Sequence, residues 1–142
     1  MNAKKTTIAL TATLALTLLR AMAEDKPVLD PGKLPPASTA TGVTYDKDIK
    51  PIFDQSCIKC HKGEKAKGKL HLDSLDGAIK GGKEGPDIIP GQANKSPLVY
   101  AVAHVCVDED DFMPPPKNKA NIGPLTADQV GLIRAWIDQG AK

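Results

Sequence analysis

The feature that most constrains this chain is Cys57-Ile58-Lys59-Cys60-His61. Two thiols two residues apart, with an imidazole directly after the second, must share one compact turn. The fold around them must leave room for whatever they hold. C-x-x-C-H is the form used for covalent haem attachment. The two thiols reach the two vinyl groups on one side of the macrocycle, and the imidazole that follows is carried under the iron. A shuffle of this composition produces the pattern on the order of once in a thousand, so chance is a poor explanation.

Other uses of the same residues explain less. A thioredoxin-like redox pair wants C-x-x-C at the head of a helix that follows a strand; here the motif falls at a helix end with no strand pattern before it. A structural zinc site would take Cys57, Cys60, His104 and Cys106, but it leaves His61 without a purpose and needs an uncommon H-x-C spacing. A Cys57–Cys60 disulfide is the state expected when haem fails to arrive. Cys106, flanked by Val105 and Val107, then has no partner and reads as a small buried apolar residue.

The N-terminus places those thiols in an exported protein. Lys4 and Lys5 precede an apolar run from Ile8 to Leu19, and Ala21-Met22-Ala23 offers a cleavage site. Residues 1–23 read as a cleaved signal peptide, since the run is short for a membrane span. Arg20 leaves an uncleaved anchor as the alternative. Cleavage removes three basic residues and leaves 16 basic against 17 acidic side chains. A bulk positive charge for nucleic-acid binding is therefore absent. Residues 24–42, with Pro27, Pro31, Pro35 and Pro36, lack an apolar period and read as a Pro/Ala/Ser/Thr-rich linker. Residues 43–142 are the expected folded domain.

Within that domain the periodicity is helical. A first helix is expected from Asp46 or Asp48 to about Cys57, with Pro51 tolerated in its first turn. A second starts at Ser96 as N-cap and Pro97 as first residue, and runs through Val102. A third follows the capping box Thr126-Ala127-Asp128-Gln129, with Leu125 as a hydrophobic staple. It carries Val130, Ile133 and Ile137 on one stripe, Leu132 and Trp136 beside it, and Gly140 at its close. A short turn is expected around Asp73 to Lys80. No alternating run suggests a sheet, so the fold class is mostly α. Five aromatic residues are a thin core for such a domain, and a buried porphyrin would supply the missing apolar mass.

Met113 is the only methionine left after residue 23, and it lies in Phe112-Met113-Pro114-Pro115-Pro116. Three prolines keep this loop from collapsing into helix, and a thioether is a soft iron ligand that raises the reduction potential. His71 and His104 are the rivals. His71 reads as an exposed or structural residue, and His104 as a favourable contact at a helix C-terminus. Lys59, Lys62, Lys65, Lys67 and Lys69 crowd the attachment motif, while Asp108 to Asp111 precede Met113. Both clusters suit docking at an exposed haem edge, and both equally suit solvated loops.

The order C-x-x-C-H, G-P-x-I, M-P-P and L-T-x-x-Q-x-x-x-I-x-x-W-I-x-x-G-A resembles a class I c-type cytochrome. Asp48-Ile49-Lys50-Pro51-Ile52, Leu72-Asp73-Ser74 and Pro90-Gly91 make it similar to the planctomycete-type cytochrome c domains. The resemblance covers about Tyr45 to Lys142. It implies three or more helices wrapped around one covalently bound haem c, with the first and last helices crossing near Trp136. It implies His61 and Met113 as the axial ligands. It also implies that Pro86, in Gly85-Pro86-Asp87-Ile88, offers its carbonyl to the imidazole N–H. The stretch from His61 to Pro86 is longer than in the smallest members of that class, and Cys106 and the acidic run lie beside the methionine loop.

The function expected is a periplasmic, or otherwise exported, single-electron carrier between redox protein partners. No acid–base pair is recognisable beside the ligands. The alternatives are a redox enzyme such as a peroxidase, the haem subunit of one such as a dehydrogenase, and a structural zinc module.

Overall fold

The computed structural model describes residues 29–142, so the expected signal peptide lies outside the described residues. These residues are mostly helical; the only pairing of strand type among them is an isolated bridge between Gly82 and Gly85. Four α-helices occur: α1 (Lys50–Ser56), α2 (Leu75–Lys80), α3 (Pro97–Val102) and α4 (Ala127–Asp138). No helix among the described residues is long and apolar enough to cross a membrane.

The first helix starts earlier than Asp46 or Asp48 would give. A wide π-helical turn over Tyr45–Ile49 leads into α1, and the Asp48 carboxylate accepts from the backbone N–H of Thr44 at 2.8 Å. Pro51 then falls in the first turn of α1, where its missing N–H is harmless. The last helix opens as the sequence predicts. Thr126 Oγ1 accepts from the Gln129 N–H at 3.2 Å, and Gln129 Oε1 accepts from the Thr126 N–H at 2.9 Å. Gly140 takes a φ of +98°, a left-handed conformation that lets the chain turn away behind α4.

Trp136, on α4, is fully buried against the start of the fold. Its ring centroid lies 6.0 Å from Tyr45 and 6.3 Å from Phe53, the latter edge-on at 84°. The indole N–H donates to the Lys142 carbonyl at 3.0 Å, and the Tyr45 N–H donates to the same oxygen at 2.9 Å. The start of the fold thus packs on the last helix around Trp136, through the Tyr45–Ile49 turn and Phe53 of α1. Ile49, Ile133 and Ile137 fill the space beside it, each with no exposed surface.

Residues 34–40, read from sequence as part of a linker, are docked along α4. Leu34 is buried in the core. The Ser38 N–H donates to the Gly131 carbonyl at 2.9 Å, Arg134 donates to the Pro35 carbonyl, and Gln139 Nε2 donates to the Ala40 carbonyl at 2.8 Å. Gly131 makes this approach feasible: a Cβ there would lie 2.7 Å from the Pro36 carbonyl oxygen. Composition reads such a segment as free because the docking uses backbone groups and one missing methyl, neither of which leaves a periodic trace.

Candidate functional site

The attachment motif sits where α1 unwinds. The Cys57 and Ile58 N–H groups both donate to the Phe53 carbonyl, at 2.8 and 3.1 Å, closing the last turn. The Cys60 and His61 N–H groups then both donate to the Cys57 carbonyl at 3.0 Å. Two thiols and an imidazole are therefore wound into a single turn whose base is anchored by buried Phe53. The chain after the motif folds back over it: the Lys67 N–H donates to the Cys60 carbonyl and the Leu72 N–H to the His61 carbonyl, each at 2.9 Å.

This turn forms one wall of a cavity of about 550 Å³, well inside the range of small-molecule and cofactor sites. Cys57, Cys60 and His61 line it on one side, and Met113 lines it from the loop between α3 and α4. Leu70, Leu72, Leu98 and Val102 supply apolar walls. Leu29, at the head of the docked N-terminal segment, reaches the same space. Met113 is positioned by its own N–H, which donates to the Ala101 carbonyl at 3.0 Å and ties the loop to α3. Asn118 braces the far end: its Nδ2 donates to the Pro115 and Ile122 carbonyls at 2.8 and 2.7 Å, and its Oδ1 accepts from the Ile122 N–H at 3.0 Å. Sequence reasoning missed Asn118; an asparagine ending a proline run is the signal that could have found it.

The rival ligands lie elsewhere. His71 and His104 are both absent from the cavity lining. His104 follows α3 with a φ of +54°, and its ring stacks on Phe112 at 4.7 Å. Cys106 lines the cavity half-buried, so it is less hidden than its valine neighbours suggest. Pro86 is exposed and does not line the cavity. Ser96, expected to cap α3, instead donates its hydroxyl proton to the Gln92 carbonyl at 3.0 Å and accepts from the Ile89 N–H at 2.9 Å. It is fully buried, and its hydroxyl stitches the preceding loop rather than the helix.

Electrostatics separate the competing uses of the thiols. Burial pushes the Cys57 thiol up to about 12, and the neighbouring Cys60 adds to the effect. A redox-active pair needs the opposite shift, since the thiolate is the nucleophile. Among the described residues no group of three or more His, Cys, Asp or Glu side chains converges on a metal-binding point, the set Cys57, Cys60, His104 and Cys106 included. Burial also lowers the pKa of His61, against the raising effects of the Lys67 and Leu70 carbonyls and the Asp87 carboxylate. Neutral imidazole is the form that ligates a metal. The His61 Nδ1 is buried and carries no hydrogen bond, so an apolar cavity lined by two thiols, a neutral imidazole and a thioether fits a haem c.

Residues 57–117 match the family model described as Planctomycete cytochrome C. The match supports a planctomycete-type cytochrome c domain over this stretch. The match runs from the first motif cysteine to just past the methionine loop, and therefore includes Cys57, Cys60, His61 and Met113 of the cavity lining. No curated protein and no solved structure matches the chain. A cytochrome c domain implies haem c and points to haem-based electron transfer. The helical architecture is compatible with that assignment.

Proposed function

We propose that the protein is an exported, mono-haem c-type cytochrome that carries single electrons between redox protein partners. The observation that carries this reading is the shared cavity, which Cys57, Cys60, His61 and Met113 all line. Cys57 and Cys60 would hold the haem covalently through their sulfurs. His61 and Met113 would ligate the iron, and bound haem would supply a one-electron couple. The chain's own part is to exclude water with Leu70, Leu72, Leu98 and Val102, to hold His61 neutral by burial, and to brace Met113 through Ala101 and Asn118. Apolar surroundings and a thioether ligand together favour the reduced, less charged iron.

Export rests on the sequence of residues 1–23, and docking at the cavity mouth is supported by exposed Val107 and the lysines around the motif. Mass spectrometry of the exported protein tests attachment directly. One haem mass on a peptide containing Cys57 and Cys60 is expected, lost on Cys57→Ser with Cys60→Ser; its absence in the unaltered protein ends the proposal. The oxidised protein should show the far-red absorption of methionine-ligated ferric haem, and Met113→Ala should abolish it. Fast cyanide binding to the resting protein would favour an enzyme with an open iron position instead.

A further inference from the structure

On the haem reading above, we infer that residues 29–40 form a strap that completes the wall of the haem cavity with Leu29. The grip of α4 on this strap then sets how far water reaches the cofactor. The strap lies outside the matched stretch, residues 57–117, yet it is built to stay in place. Two apolar anchors bracket a short turn. Leu34 is buried in the core, and Leu29 packs partly buried against the same core and lines the cavity. Between them Pro31–Lys33 form a 3-10 turn capped by Asp30, whose Oδ1 accepts from the Gly32 N–H at 2.9 Å. The Leu34 N–H closes that turn on the Pro31 carbonyl at 3.2 Å. Pro31, Pro35 and Pro36 have a fixed φ, so the segment loses less chain entropy when it docks.

The other end is held by α4, through Ser38 on Gly131, Gln139 on Ala40 and Arg134 on Pro35. Arg134 also ties the strap to the cavity. Its Nη2 donates to Asn94 Oδ1 at 2.7 Å, and the Asn94 carbonyl accepts from the Tyr100 hydroxyl at 2.7 Å. Tyr100 is buried and lines the cavity, as Leu29 does. A planar guanidinium can bridge two separated acceptors, which the single nitrogen of a lysine does poorly. The strap therefore meets the cavity twice, directly at Leu29 and through Arg134, Asn94 and Tyr100.

An apolar wall keeps water out and favours the less charged, reduced iron. A strap held down thus raises the reduction potential, and a loosened one lowers it. Leu29 and Arg134 are positioning residues in this sense. The test uses the haem-loaded exported protein with Leu29→Ser, and Thr39→Ala as an exposed, uncharged control on the same strap. The expected result is a lower potential and faster oxidation of the reduced haem by dioxygen in Leu29→Ser, with both unchanged in Thr39→Ala. Arg134→Lys keeps the charge but loses the bridge. It should speed hydrogen exchange at the Ser38 amide and lower the potential by less than Leu29→Ser does. A potential and oxidation rate unmoved by Leu29→Ser would overturn the inference. Faster Ser38 exchange in Arg134→Lys at unchanged potential would also overturn it, since the strap would then be loose without consequence for the cofactor. Absence of haem on the unaltered protein would instead fail the reading beneath it.

Discussion

The two walls of the cavity are built on different physical terms. On one side the Tyr45–Ile49 turn and Phe53 pack on α4 around Trp136, where Tyr45, Phe53, Ile133 and Ile137 are almost wholly buried and the aromatic rings meet edge-on or tilted. In front, residues 105–122 contain no helix beyond a single 3-10 turn at Glu109–Asp111. That wall is held by the Met113 N–H on the Ala101 carbonyl and by the three hydrogen bonds of Asn118. The rear wall owes its rigidity to apolar burial, and it carries the thiols. The front wall owes its shape to a few polar contacts, and it carries Met113, the proposed sixth ligand. A fold arranged this way should open first at the front, because segments with few buried apolar contacts have the lowest local stability.

Replacing Trp136 by alanine should have the largest effect, removing about 3–5 kcal/mol from the unfolding free energy in denaturant titrations. A loss confined to the far-red band, with stability intact, would show that the two walls are not distinct. Asn118→Ala should cost about 1–3 kcal/mol through unpaired loop groups. The far-red absorption should disappear at a lower temperature than the helical circular dichroism, since only the front wall loses its brace. Gly131→Ala separates the docked segment from the wall it lies on. In the intact protein its Cβ meets the Pro36 carbonyl at 2.7 Å, and overpacking of roughly 1–2 kcal/mol should outweigh the gain in helix propensity. After deletion of residues 24–40 the same substitution should stabilise by about 0.5–1 kcal/mol.

The smallest effect concerns Tyr45, whose hydroxyl donates to the Leu72 carbonyl at 2.9 Å and links the rear wall to the chain beyond the motif. Burial, with nearby Asp54, Asp73 and Asp46, raises its pKa from 10.0 to about 12. A raised value in the folded state means the contribution is whole below pH 10 and is lost as pH climbs toward 12. Tyr45→Phe should cost about 1 kcal/mol at neutral pH and should flatten the alkaline fall in stability. An unchanged alkaline slope would assign that fall to other groups.

Much of the site was legible because its signals are local. The capping box at Thr126 and Gln129, the stripe on α4 and the turn at Ser74–Lys80 all depend on residues within four positions of one another, and each formed. The C-x-x-C-H turn is equally local, since α1 and its last hydrogen bonds place all three side chains together. Met113 was singled out as a lone methionine on a stiffened loop, and the structure has it lining the cavity. Ser96 shows where local reasoning fails: its neighbours say cap, while a fully buried hydroxyl is claimed by the nearer loop groups of Ile89 and Gln92.

The sequence by itself determined which residues the proposed chemistry uses, because covalent attachment and iron ligation depend on residue types at short, readable spacings. It also determined the helices, through periodicity and capping. Only the tertiary structure decided that residues 34–40 lie on α4, that His71 and His104 stay out of the cavity, and that Leu29 reaches it. Those outcomes turn on backbone carbonyls, on a missing Cβ at Gly131, and on contacts between residues far apart in the chain. Such contacts exist only once the chain has closed, and no pattern along it records them.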